Sequence, residues 1–111
     1  MVDQSIIKII QNYITEAGKA GVRISDAFLF GSYARDKQNI ESDLDLAVIC
    51  PDLDEDTTQE IVDVLWEIRM ITDSRIEPVP IGQQAWSSGS GGIIADIVRN
   101  EGIRIPLALS D

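Results

Sequence analysis

The sequence contains no histidine and a single cysteine, Cys50, among its 111 residues. Because these two ligand types are almost absent, zinc and haem sites are not expected, and any metal ion would be held by carboxylates. Carboxylates prefer hard ions such as magnesium or manganese. Cys50 cannot form an internal disulfide, and since it closes an apolar segment we expect a buried, unreactive thiol.

Basic residues are also scarce: 9 Lys and Arg stand against 19 Asp and Glu, a formal net charge of −10. Such a chain repels phosphate backbones, so direct nucleic-acid binding is not expected, although metal ions could screen a small anionic substrate. The sequence has no signal-peptide pattern and no apolar run near the ~20 residues of a membrane span. We therefore expect one soluble, cytoplasmic domain over residues 1–111, without membrane contact.

The pattern of apolar residues predicts an α/β (α+β) fold, with a small mixed sheet flanked by helices. The predicted helices cover residues 3–20, 57–71 and 93–98, and the predicted strands cover 23–30, 43–50, 75–81 and 103–105. A further short helix is expected to begin at Tyr33. Pro78 and Pro80 cannot donate ladder hydrogen bonds, so the third strand is expected at an edge of the sheet.

The helix over residues 57–71 carries the most detailed expectations. Thr57 and Glu60 have the spacing of a capping box. The expected buried stripe consists of Ile61, Val64, Leu65, Ile68 and Ile71. The acidic segment 52–56 lacks the Gly and Glu of a calcium loop, so we interpret it as a solvated loop. The Gly- and Ser-rich segment 87–92 lacks the Lys-Ser/Thr of a phosphate loop, and we interpret it as a linker.

Two carboxylates, Asp43 and Asp45, open the second strand. Because side chains alternate along a strand, both project from one face, with Cβ atoms about 6–7 Å apart. Carboxylates at this separation can flank two divalent ions, and without a cation they repel each other. Leu44 and Leu46 fall on the opposite face and are expected in the core. Alone, the pair would also suit a solvent-facing strand edge.

The turn Gly31-Ser32 supports the site interpretation. Gly31 permits a tight turn and a close approach of phosphate to backbone N–H groups. Ser32 can cap the short helix that follows and donate its hydroxyl to a triphosphate oxygen. Arg35 could contact the triphosphate or form a surface ion pair with Asp36.

Nucleotidyl transfer with two metal ions requires a further acid, which holds the second ion and activates the attacking hydroxyl. Glu77, on the next strand, is the first candidate, although it could also be a surface acid. Asp73 is the reserve candidate, less well placed at the end of a helix.

Gly31-Ser32 followed after ten residues by Asp43-x-Asp45, with Ala34-Arg35 between them, closely resembles the minimal nucleotidyltransferases of the DNA-polymerase-β-like superfamily. The resemblance implies that Gly31 and Ser32 bind the triphosphate, with Arg35 as a further contact. It also implies that Asp43, Asp45 and Glu77 hold Mg²⁺ or Mn²⁺, with ATP as substrate. The sequence departs from the family at Asp36, where Gly is common, and an acid there would weaken nucleotide binding.

The resemblance also implies a partner. Minimal members are often antitoxins paired with a helical HEPN-type toxin, and some transfer AMP from ATP to a toxin tyrosine. Our first hypothesis is therefore a metal-dependent nucleotidyltransferase that modifies a hydroxyl of a partner protein. A non-catalytic acidic module that neutralises a basic toxin is the second, and a subunit of a small-molecule, aminoglycoside-type nucleotidyltransferase is the third. The exposed faces of the first and last helices could support a homodimer or the toxin contact.

Overall fold

The computed structural model describes residues 2–34, 43–54 and 56–107. Helices and strands follow the chain in the order α1 (Gln4–Lys19), β1 (Asp26–Phe30), β2 (Leu44–Cys50), α2 (Thr58–Ile71), β3 (Ile76–Gly82), α3 (Gln83–Ser87), α4 (Gly92–Glu101) and β4 (Ile103–Arg104). In these ranges no helix is both long enough and apolar enough to cross a membrane.

The sheet has the strand order β3-β2-β1-β4. β1 is antiparallel to β2 and β4, whereas β2 and β3 are parallel and joined by the crossover helix α2. The predicted mixed sheet with flanking helices is therefore confirmed. β3 lies at an edge, as Pro78 and Pro80 predicted.

The two faces of the sheet support separate apolar clusters. On one face, side chains such as Leu44, Leu46 and Val48 pack with the buried stripes of α1 and α2. On the other face, Ala47 and Ile49 pack with α4 residues. The alternation predicted for β2 is thus observed, and Asp45 belongs to the face that α4 covers further along.

Two expectations about α2 are wrong. Thr57 occupies the N-cap position without a side-chain cap hydrogen bond, because its hydroxyl instead donates to the Asp52 carbonyl oxygen at 2.9 Å. Ile61, Leu65 and Ile68 are buried as expected, but Val64 is only partly buried and Ile71 is 72 % exposed. The helix ends at Ile71, where the chain turns towards β3 and the stripe no longer faces the sheet.

Both ends of segment 87–92 belong to helices rather than to a linker, since α3 ends at Ser87 and α4 begins at Gly92. The unpredicted helix α3 includes Ser87, and the Arg99 guanidinium donates to the carbonyl oxygens of Ala85 and Trp86 at 3.2 and 3.1 Å. The same guanidinium stacks on the Trp86 ring at 4.7 Å, which ties α3 to α4. Cys50 is fully buried, and burial raises the pKa of its thiol to about 12, in keeping with an unreactive thiol.

Candidate active site

The parallel pairing of β2 with β3 brings the predicted acids together. In this register Asp45 lies beside Glu77, and Leu44 lies beside Ile76. The Leu44 N–H donates to the Arg75 carbonyl oxygen at 2.8 Å, so the ladder continues to the point where Asp43 precedes β2. Glu77 is therefore brought to the same end of the sheet as Asp43 and Asp45, from which it is distant in sequence.

The pKa of Glu77 is raised by burial and by this proximity. Burial raises it above the ordinary glutamate value, and the negative charge of Asp43 raises it further, as does a hydrogen bond with Asp43. Asp45 acts in the same direction, through its charge and a hydrogen bond. Burial, Asp43 and Asp45 all raise the pKa of Glu77, because each of them disfavours a negative charge on its carboxyl group.

The chemistry of the donor set fits a hard divalent cation, since three carboxylates supply only oxygen ligands. The positions of the three side chains do not form a complete metal-binding site. Among residues 2–34, 43–54 and 56–107, no group of three or more His, Cys, Asp or Glu side chains is arranged to hold a metal ion as it stands. Without a cation, the repulsion between the carboxylates disfavours an arrangement in which all three surround one point.

Gly31 lies directly against Asp45. Phe30 pairs with Asp45 across β1 and β2, and Gly31 follows with φ +73°, a conformation that favours glycine. A Cβ atom at this position would overlap Asp45 Oδ2 and lie 3.1 Å from its Cγ. The absent side chain therefore leaves the space that the Asp45 carboxylate occupies.

The rest of the predicted phosphate site is described only in part. Residues Gly31 to Ala34 form a partly buried turn. The helix expected to begin at Tyr33 therefore does not begin at Tyr33 or at Ala34. Arg35 and Asp36 lie outside the described residues, so their predicted roles stay predictions. Ser32 follows Gly31 in this turn, at the same end of the sheet as Asp45.

Asp73, the reserve third acid, is engaged elsewhere. Its carboxylate accepts hydrogen bonds from Arg75 Nε at 3.1 Å and Arg75 Nη2 at 2.9 Å. This pairing lowers the pKa of Asp73, against the opposing effect of burial. The geometry therefore favours Glu77 over Asp73 as the third acid.

Two features of the site were missed at the level of sequence. The Gly31 contact with Asp45 depends on the register of β1 against β2, which the motif spacing does not give. The engagement of Asp73 by Arg75 had a local signal, since an acid and an arginine two residues apart in a turn can pair.

Residues 4–100 match the family model described as Polymerase beta, Nucleotidyltransferase. The chain therefore belongs to this family, and its fold is the polymerase-β-like nucleotidyltransferase fold. No curated protein matches the sequence.

Solved structures of toxin–antitoxin proteins share this fold. A toxin–antitoxin crystal structure with AMP-PNP is similar with a TM-score of 0.55 and 23 % identity, over 88 % of this chain and 73 % of that one. A mutant of the toxin–antitoxin MntA-HpeT is similar with a TM-score of 0.52 and 20 % identity, over 97 % of this chain and 75 % of that one. At this identity the likeness establishes the fold alone.

Proposed function

We propose that this chain is a metal-dependent nucleotidyltransferase that transfers AMP from ATP to a hydroxyl of a partner protein, the toxin of a HEPN-type toxin–antitoxin pair. The observation that carries the proposal is the parallel register of β2 and β3, which sets Glu77 beside Asp45 and close to Asp43. A structural role does not require three carboxylates to be gathered where they repel one another.

Each residue of the site has a distinct task in this proposal. Asp43, Asp45 and Glu77 would hold divalent ions, which neutralise the charge of the triphosphate and of the departing pyrophosphate. The backbone N–H groups of Gly31 and Ser32 would bind the triphosphate, with the Ser32 hydroxyl as a further donor. Arg35 would add a positive charge to the same phosphates.

The proposed reaction is a single displacement at the α-phosphorus. The acceptor oxygen forms a bond to this phosphorus as the bond to the oxygen that bridges to the β-phosphate breaks. Pyrophosphate leaves with that oxygen and its electron pair. The hydroxyl proton passes to a site carboxylate, for which Glu77 is our assignment because it lies beside Asp45 on the neighbouring strand.

The partner part of the proposal has separate support. Both solved structures described above are toxin–antitoxin structures, and one contains AMP-PNP. The net charge of −10 also suits a basic partner surface.

Calorimetric titration of ATP with Mg²⁺ into the purified protein tests the nucleotide site. We expect Asp43→Asn and Asp45→Asn to lower the affinity by about 10-fold or more, since even residues that only support metal ligands contribute that much. The matched control is Asp52→Asn, which removes a carboxylate from the other end of β2. Asp52 pairs with Arg23 there, at 2.9 Å.

The three variants separate the possible functions. Binding that depends on Mg²⁺, is lost in both site variants and is retained in Asp52→Asn supports the proposal. A folded wild-type protein that binds no nucleotide would contradict the nucleotidyltransferase function and favour the non-catalytic module. Equal losses in all three variants would indicate a general effect of charge rather than a site.

A further inference from the structure

An apolar patch lies on α2. Among the described residues, five large apolar side chains are exposed, and three of them belong to this helix: Trp66 and Met70 on its outward side, and Ile71 at its last residue, in line with the buried stripe. Trp66 is 41 % exposed, Met70 is 70 % exposed, and Ile71 is exposed to a similar degree. Trp66 and Met70 are four positions apart, so they are neighbours on the helix surface. We call Trp66, Met70 and Ile71 the α2 patch.

The Trp66 ring is held in place and remains partly exposed. The guanidinium of Arg69 stacks on this ring, 4.5 Å from its centroid. Arg69 is itself anchored, because its Nη2 donates to the carbonyl oxygen of Ser74. An aromatic side chain that is already fixed loses little entropy when a partner covers it, which is a property of binding hot spots.

The surroundings of the α2 patch are acidic. Glu60, Asp63 and Glu67 are all exposed on the same helix, and Arg69 is its only basic residue. Glu67 is three and four positions before Met70 and Ile71, so it borders them directly. An apolar centre with an acidic rim is complementary to an apolar surface with a basic rim, and it disfavours a second copy of this chain.

The α2 patch also lies at the same end of the sheet as the carboxylates. α2 connects two parallel strands, so its last turn is close to the start of β3, beside the start of β2. From Ile71 to Ile76 the chain can span at most about 18 Å. α2 packs on the sheet face opposite Asp45, and β3 is an edge strand, so a partner that covers the last turn of α2 would reach the site by extending around the start of β3.

We propose that the α2 patch is the docking surface for the protein that supplies the acceptor hydroxyl, and that this partner presents an apolar centre with a basic rim. The inference rests on the proposed function, because the partner is the toxin named there. The inference goes beyond the proposed function because it names the surface that binds the partner. It also states from which side the partner's hydroxyl reaches the site.

The test uses the toxin chain of the MntA-HpeT complex as the probe, and measures its affinity for the full chain by calorimetry. Met70→Lys places a positive charge inside the patch, facing the basic rim of the partner. We expect it to weaken binding by about 30-fold, the size of a hot-spot loss. The matched control is Ile93→Lys on α4, where an equally exposed isoleucine, 79 % exposed, receives the same charge. We expect this variant to stay within about threefold of wild type, since Ile93 and its exposed neighbour Ile94 lie on α4, the rival contact surface, and residues outside the true contact contribute little.

Several results would overturn the inference. Toxin binding unchanged by Met70→Lys, or weakened equally by Ile93→Lys, would remove the α2 patch as the docking surface. Failure of the wild-type chain to bind this toxin would overturn the inference that the α2 patch takes a toxin with the surface of the one in the MntA-HpeT complex. A wild-type dimer in light scattering that Met70→Lys converts to a monomer would assign the patch to a second copy.

Titration of Mg²⁺-ATP into the same variants separates this inference from the proposed function. We expect Met70→Lys to bind nucleotide as wild type does, because Met70 lies on the other face of the sheet, and to lose AMP transfer to the toxin. If wild type binds the toxin through the patch but binds no nucleotide, the proposed enzyme fails and the docking surface stands.

Discussion

Asp45 and Ala47 project from the same face of β2, two residues apart, and their surroundings are opposite. Ala47 is fully buried in the cluster that includes Ala95 and Val98 of α4. Asp45 is half-buried, next to the bare backbone of Gly31 and to the carboxylate of Glu77. One strand thus carries packing in its middle and a cluster of like charges at its start.

The difference lies in what covers the face. Over Ala47 the helix α4 supplies apolar partners, so burial of the strand stabilises the fold. Over Asp45 the neighbours are acids, whose mutual repulsion costs stability. Such a local cost is typical of functional sites, where residues are selected for what they bind rather than for packing. Substitutions at the two positions, and beside them, can therefore separate the two roles.

The largest loss of stability is expected when an acidic residue is placed in the buried middle of β2, at Ala47. Ala47→Asp would bury a charge that has no partner among the apolar side chains of its cluster. We expect a loss of about 3–5 kcal/mol in the free energy of unfolding, measured in urea, because an uncompensated buried charge costs that much. Ala47→Asn, with a similar volume and no charge, should lose less. Equal losses in both variants would attribute the effect to size alone.

A smaller effect is expected at Gly31, the residue that gives Asp45 its space. Gly31→Ala combines a positive φ, which costs about 1–2 kcal/mol in a residue with a side chain, with overlap of the new Cβ and Asp45 Oδ2. We expect lower stability in a thermal melt and about 10-fold weaker Mg²⁺-dependent ATP binding, because the carboxylate must move.

Gly89 provides a matched control for this substitution. It has a similar φ of +82°, and a Cβ there would meet nothing within 4 Å. Gly89→Ala should therefore share the stability loss and keep nucleotide affinity. If both variants bind ATP as wild type does, the contact between Gly31 and Asp45 has no part in the site.

Local patterns were sufficient to predict much of this fold. The alternation in β2, the stripe from Ile61 to Ile68 and the edge position of β3 each depend on residues that are close in sequence, and the structure has all three. The resemblance carried by Gly31-Ser32 and Asp43-x-Asp45 identified the family that the comparison shows.

The features that sequence reasoning missed depend on where the chain turns or on distant partners. Ile71 fits the helical period of the stripe, yet α2 ends at this residue and leaves it exposed. Thr57 and Glu60 have capping-box spacing, but the Asp52 carbonyl oxygen competes for the Thr57 hydroxyl. Whether Glu77 faces Asp45 depends on the register between two strands separated by a helix, which no short motif encodes.

The smallest change in stability is expected at Glu77, where the substitution should stabilise the protein rather than destabilise it. Glu77→Gln removes one of the three clustered charges, so we expect the metal-free protein to gain up to about 1 kcal/mol, since solvent screens part of the repulsion. In wild type, the contribution of Glu77 to stability is fully present below its ordinary pKa and is lost as pH rises through the raised pKa of the folded state.

Thermal melts between pH 4 and 8 check this sign. Wild type should lose stability relative to Glu77→Gln as the pH rises, and Glu67→Gln, which removes a charge from an exposed acid of α2 outside the cluster, controls for a general effect of net charge. Added Mg²⁺ should then reverse the order, because a cation bound only by the folded state stabilises the protein that holds it more tightly. A Glu77→Gln variant that is less stable than wild type without metal would mean that Glu77 supports the fold, and the third acid would have to be sought elsewhere.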